Sequence, residues 1–324
     1  MLQKLVMFVM NFVVLKVFTN ILGKETYSEW RLAMTGLQLL GSAALMPMQH
    51  TFLRVFHTAE EDRTLRPAGV FAFRWYGIAS VCVLGLAIVL TYPLSLAFRL
   101  ETLTILAAGC YLVCNRWRLL GVQSLDIQRK RRTCAMQSVG FQVGQVVFAA
   151  TAMLIVGRYA SVALFGIAAA AMLMAFFGVV PLARRVFSEP REGKRRMMPM
   201  VLTYGLPYGG LLICQWALNF TDRNILAYQY GKEAAAPYIA AFPVCGAPYI
   251  LLFQFLLGLL VPIAYQRARD VNDPRQLWSA DRLLLTGIIA YLVVGGLMLP
   301  AYAFFGPGLL LLLTRKGYNL SVGT

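Results

Sequence analysis

Long apolar runs separated by short polar segments set the pattern of this chain. Nine runs stand out, at roughly 1–22, 32–53, 71–98, 102–127, 134–156, 161–183, 200–220, 235–264 and 282–305. Each is too long and too uniformly apolar for a strand, and about 20 such residues cross ~30 Å of hydrocarbon as a helix. The expected fold class is therefore all-α and integral to the membrane, a polytopic helical bundle of about nine spans. The 306–314 run GPGLLLLLT is too short to cross and is expected to cap the ninth span. The first run has one early lysine and no small-residue cleavage site before its polar end, so it reads as a retained span and not a removable signal.

The longest polar linker, RRVFSEPREGKRRMM, follows the sixth run. It predicts three parts: a six-helix N-terminal lobe over 1–183, a basic cytoplasmic linker over 184–199, and a C-terminal lobe over 200–324. That second lobe has only three spans, and TRKGYNLSVGT after the ninth would sit outside with no span to return it. The expectation is a truncated form of a longer transporter.

Composition supports the membrane reading. Only 14% of the 324 residues are charged and 59% are apolar, with a mean hydropathy of +0.65. A soluble domain carries about 25% charged residues. The net charge of +16 would suggest nucleic acid in a soluble protein, but here it is placed by topology. Segments 54–74, 116–132, 184–196 and 267–282 hold 20 Lys/Arg, while the alternate segments hold 8. The positive-inside rule puts the rich segments and the N-terminus in the cytoplasm. The six cysteines form no CxxC pair and there are only two histidines, so neither a disulfide nor a metal centre is expected.

Ionisable groups inside hydrocarbon are costly, which makes them functional suspects. Lys16 lies in the first run, Arg116 and Arg118 in the fourth, and Asp222 with Arg223 closes the seventh. No Asp or Glu lies in the middle of a run, although ion-coupled pumps generally seat the ion on an intramembrane carboxylate. Arg116 and Arg118 are about 200° apart around a helix, so both cannot face one cavity. Arg118 shares a face with Asn115 and Tyr111, which favours it as the inward one. The competing reading has both arginines snorkelling to the cytoplasmic interface, and Lys16 to the opposite one. Asp222–Arg223 reads as a local helix-capping pair or as an outer gate. Gln142, Tyr208 and Gln215 are candidate glycan contacts, with helix packing the plainer alternative. No GxxxxGK[ST], HExxH or GxSxG motif appears, so no enzyme and no cofactor is expected.

Two stretches resemble a known family. GKETYSEWRLAMTGLQLL follows the first run, and YGLPYGGLLICQWALNFTDRNILAYQYGKEAAAPYIAAF spans the seventh and the start of the eighth. Both are similar to segments of the oligosaccharide flippases of the multidrug/oligosaccharidyl-lipid/polysaccharide exporter superfamily, in its O-antigen (Wzx-type) branch. Asn20 stands where those proteins commonly carry an arginine. The resemblance implies a bacterial inner-membrane protein with two pseudo-symmetric six-helix lobes around a cavity of alternating access. It implies movement of a polyprenyl-diphosphate-linked oligosaccharide to the periplasmic leaflet, for O-antigen, lipopolysaccharide or other polysaccharide. Arg118 or Arg116, with Lys16, would hold the diphosphate. Polysaccharide polymerase and glycosyltransferases are the partners implied, beside the lipid-linked oligosaccharide and membrane lipid; no nucleic acid is. Two other readings compete: a multidrug or cation antiporter of the same superfamily, and a non-transporting scaffold of a glycan-assembly complex.

Overall fold

In a computed structural model the protein is described over residues 2–189, 197–267 and 274–314. The middle of the basic linker, 190–196, the stretch 268–273 and the terminal segment from 315 lie outside the described residues. All nine apolar runs fall in helices. They are α1 (Leu2–Ile21), α2 (Lys24–Glu61), α3 (Leu65–Phe98), α4 (Thr102–Ile127), α5 (Arg131–Ile155), α6 (Ala160–Ser188), α7 (Met197–Tyr230), α8 (Lys232–Arg267) and α9 (Pro274–Leu313). No strand occurs among the described residues.

Six of these helices contain a stretch long and apolar enough to cross a membrane: those in α3, α5, α6, α7, α8 and α9. The apolar part of α1 is the shorter Val6–Ile21. Helices α2 and α4 carry too many polar side chains to qualify, Asn115, Arg116, Arg118, Gln123 and Asp126 in α4 among them. Their polarity matches their place. Helix α4 packs against α2, α3, α5 and α6, so Arg116 and Arg118 are buried among other helices, while Asp126 near its C-terminal end is exposed.

Helix α2 is longer than the 32–53 run, because KETYSEWR already turns helically and the helix continues to Glu61. Its end and that of α4 share one device. Arg63 and Arg129 take left-handed conformations (φ 52 and 58). Thr64 N donates to Ala59 O at 2.7 Å and Lys130 N to Leu125 O at 2.9 Å, the six-to-one bond of a Schellman stop. The GPGLLLLL stretch does not fold back over the ninth span. Its first eight residues continue α9 without a break, lengthening it by about 12 Å.

The chain forms two compact units, one of Val17–Ala236 and one of Met1–Lys16 with Pro237–Thr324. In the second, Tyr249 Oη donates to Gly295 O at 3.0 Å and stacks on Tyr302, tying α8 to α9. In the first, backbones approach closely where glycines permit. A Cβ on Gly121 of α4 would lie 2.8 Å from the Gly178 backbone of α6, and one on Gly205 of α7 would lie 2.7 Å from the Pro47 carbonyl of α2. Helix α7 includes a π-helical turn, Val201–Gly205, at that contact.

The Gly121–Gly178 crossing predicts a sharp packing limit. Gly121→Val should destabilise the detergent-solubilised protein by about 1–3 kcal/mol through overpacking. Gly210→Ala, where a Cβ meets nothing within 4 Å, should not lower the thermal unfolding midpoint.

Candidate functional site: a cationic layer at mid-helix depth

Arg116, Trp117 and Arg118 are consecutive on α4, so their side chains leave the helix about 100° apart and meet three different neighbours. Arg116 Nη2 donates to Ser42 Oγ of α2 at 3.2 Å. Trp117 Nε1 donates to Ser80 Oγ of α3 at 3.1 Å, and its indole stacks on Phe73 and meets the edge of Tyr76. The Arg118 guanidinium lies 3.9 Å from the ring centroid of Phe141 on α5. Trp117 thus fixes the rotation of α4, and that rotation aims one arginine at α2 and the other at α5.

Ser42, Ser80 and Arg116 each lie about 20–27 Å from the first residue of their helix, near the middle of all three. One heptad from Ser42 and Arg116 comes a second polar rung. Gln49 Nε2 of α2 donates to Gln123 Oε1 of α4 at 2.7 Å, and Tyr76 Oη of α3 donates to Gln49 Oε1 at 3.0 Å. His50, next in sequence, has its ring centroid 4.2 Å from that of Tyr208 on α7.

The two arginines are buried, at 5% and 8% exposure. Arg118 is held by its own helix, Nε and Nη2 both donating to Asn115 Oδ1 at 3.0 and 2.8 Å. Arg116 Nε and His50 Nε2 are buried with no hydrogen-bond partner. Among the described residues no carboxylate forms an ion pair with either arginine. Two guanidinium groups, with ten N–H donors between them, are met by one hydroxyl and one amide oxygen. Such a site can take an anion with little rearrangement of its charges, and a cation only against repulsion.

The other sequence-predicted residues are spread more widely. Asn115 joins Arg118 directly. Gln142 is buried one residue beyond Phe141 and accepts a bond from Gln145 Nε2. Tyr208 is half-buried against His50. Gln215 is exposed on α7, one residue from Trp216, whose Nε1 reaches Thr35 O of α2 at 2.7 Å. Asp222 Oδ1 accepts from the backbone N–H of Arg223 at 2.8 Å, while the buried Arg223 side chain lies over the Phe220 ring. Lys16 is exposed and belongs to the Met1–Lys16 and Pro237–Thr324 unit.

Ion pairs close both ends of the Val17–Ala236 unit. Lys232 Nζ lies 3.3 Å from Glu29 Oε2 and 3.4 Å from Glu25 Oε1, and it donates to Arg99 O at 2.7 Å. The buried Glu29 also accepts from the N–H of Glu101 at 2.7 Å. One lysine therefore joins the start of α2, the α3–α4 turn and the α7–α8 turn. At the opposite end Arg185 of α6 pairs with Glu60 of α2 and donates to Gln128 Oε1. Sequence reasoning missed Ser42, Gln49, His50, Glu29 and Lys232. Glu25 and Glu29 share a helical face, and Ser42 and Gln49 are one heptad apart, but nothing in the sequence shows what stands opposite them.

No protein-family model, no curated protein and no solved structure matches this chain.

The Glu29–Lys232 pair yields a stability prediction. Lys232→Met leaves a buried carboxylate without its cation and should cost on the order of 3 kcal/mol. Adding Glu29→Gln should recover most of that loss, as a double-mutant cycle of unfolding midpoints would show.

Proposed function

We propose that this chain moves a polyprenyl-diphosphate-linked oligosaccharide across a bacterial cytoplasmic membrane, serving O-antigen or other polysaccharide export. The observation that carries the reading is the pair of mid-helix guanidinium groups with donors to spare and no carboxylate partner among the described residues. A lipid diphosphate must cross hydrocarbon with its charge, and it needs cationic, hydrogen-bonding surroundings at that depth while its polyprenyl tail stays in lipid. Arginine suits the task because its planar fork binds phosphate oxygens in pairs and stays charged.

In this proposal one of the two arginines, Arg118 or Arg116, receives the diphosphate, with Asn115 or Ser42 holding that side chain when it is absent. Gln142, Tyr208 and the exposed Gln215 offer hydroxyl and amide contacts to sugars. Pro47 gives α2 a place to bend, because it removes the hydrogen bond to the Ala43 carbonyl. The indole of Trp75 already donates to the next carbonyl, Ala44 O, at 3.0 Å. Movement of α2 with α7 at Pro47 and the facing π-helical turn would uncover Arg116. The charge bias of the polar segments supports a cytoplasmic N-terminus, and it would place the Glu29–Lys232 cluster on the periplasmic side as the outer closure. Helices α1, α2 and α4 would complete nine spans.

Complementation tests this function. In a strain lacking its glycan flippase, the chain should restore surface polysaccharide and drain the lipid-linked intermediate. Arg116→Ala or Arg118→Ala should lower that export at least tenfold, the loss of about 1.5–3 kcal/mol in charge-assisted bonds, with the protein still inserted at normal abundance. Undiminished export by the double alanine variant would overturn the site assignment. Failure of the inserted, unaltered chain with every glycan tried would overturn the function.

A further inference from the structure

Helix α3 presents a face that no described residue of its own unit covers. Arg74, Gly77, Ile78, Val81 and Cys82 recur on it at helical spacing and line a shallow, open groove of apolar atoms. Ile78 and Val81 are 67% and 70% exposed, as suits a surface in lipid. Arg74 stands at one end, exposed and with no hydrogen bond or ion pair among the described residues.

Gly77 forms the floor. Many glycines of this unit answer a close approach: Gly69 faces Val186, Gly109 faces Ala87, Gly121 faces Gly178 and Gly205 faces Pro47. A Cβ on Gly77 would meet nothing within 4 Å, and the same holds two turns on at Gly85. A glycine in mid-helix costs about 1 kcal/mol against alanine, so a notch without an internal neighbour is room for something outside the chain. A second helix would want small residues four apart, but Phe73 and Val81 flank Gly77 at that spacing. A flexible acyl chain needs only the notch, and an unpaired guanidinium at its end supplies donors for a phosphate.

We propose that this groove binds a phospholipid with an anionic headgroup, its phosphate on Arg74 and one acyl chain running over Gly77, Ile78 and Val81 towards Cys82. Arg74 and Cys82 are eight residues apart, about 12 Å along the helix, so the upper part of one chain fills the groove. The site stands whether or not the chain is a transporter. It would anchor α3 at the interface nearest Arg74, the end that the charge bias assigns to the cytoplasm, and bulk anionic lipid would occupy it.

Native mass spectrometry of the detergent-released chain, given equal amounts of phosphatidylglycerol and phosphatidylcholine, tests this. The unaltered chain should retain phosphatidylglycerol in preference. Arg74→Gln and Gly77→Leu should each retain one fewer phosphatidylglycerol per chain. A Cβ at Gly77 meets nothing within 4 Å, so the unfolding midpoint of Gly77→Leu should not fall, and Gly210→Leu, at another open glycine, should retain the full number. Three results would overturn the proposal: equal retention of the two lipids, the full phosphatidylglycerol number in both variants, or preferential retention of an added polyprenyl phosphate. A dimer of the unaltered chain that Gly77→Leu abolishes would also overturn it, by making a second copy the occupant.

Discussion

Two guanidinium groups near the middle of α4, with no carboxylate among the described residues to neutralise them, constrain the surrounding unit. In a membrane, a charge at that depth could not face acyl chains without a large cost, so α4 would have to be enclosed. It is enclosed on four sides by α2, α3, α5 and α6. Close enclosure demands small side chains where backbones cross, and the Gly121–Gly178 contact between α4 and α6 provides them. It also demands a fixed rotation, since turning α4 by one residue would exchange the roles of Arg116 and Trp117. The bond from Trp117 to Ser80 and the indole's aromatic neighbours supply that. The low hydropathy of α4, which keeps it from qualifying as a span by composition, is a consequence of where it sits.

The unit is held differently at its ends and in its middle. At the ends, full charges pair: Lys232 with Glu25 and Glu29, Arg185 with Glu60. At mid-depth the contacts between α2, α3 and α4 are hydroxyls, amides and single bonds from arginines that retain unused donors. Of the end pairs, Glu29–Lys232 has both side chains nearly enclosed and is the harder to separate, while Arg185–Glu60 is about one-third exposed and weaker. Pro47 and the π-helical turn lie beside this weakly bonded layer, where α2 and α7 touch. A helix with an internal proline bends more readily than one with a full ladder. The packing therefore concentrates compliance at the level of the buried arginines, which is the level an anionic ligand would have to enter.

Much of this was legible in the sequence, for reasons that differ by element. The helices were, because apolar runs of twenty or more residues leave no other choice in lipid. Arg118 and Asn115 were placed together by their i, i+3 spacing, and the structure joins them. Arg116 was the less favoured of the two because its partner, Ser42, lies 74 residues away and a lone serine in an apolar run carries no signal. Glu29 and Lys232 meet across 203 residues, and only tertiary packing can show that a lysine at a helix start is a half-buried hub. The length of α2 was underread because KETYSEWR looks like a loop by hydropathy, yet its residues are tolerated in a helix and Tyr27 and Trp30 bury their rings. Continuation of α9 through Gly306-Pro307-Gly308 was missed because that triplet usually punctuates a chain. A proline costs a helix one hydrogen bond, and α9 continues past this one for six residues.

Five of the described cations occupy three electrostatic settings, and the differences sort the anions each can meet. Arg185 and Lys232 are paired with carboxylates and are thereby closed to other anions. Arg74 is exposed at the edge of an apolar face, where any anionic headgroup in the leaflet can reach it. Arg116 and Arg118 are unpaired, as Arg74 is, but buried to the extent of 5% and 8% exposure. A membrane rich in phosphate headgroups would occupy open arginines continuously. Burial behind α2 on one side and α5 on the other would, in a membrane, keep those two from bulk phospholipid without spending a carboxylate on them. Under the transport reading, such guarding is what selectivity requires: the cations remain available for an anion that arrives with enough additional contact to part the helices.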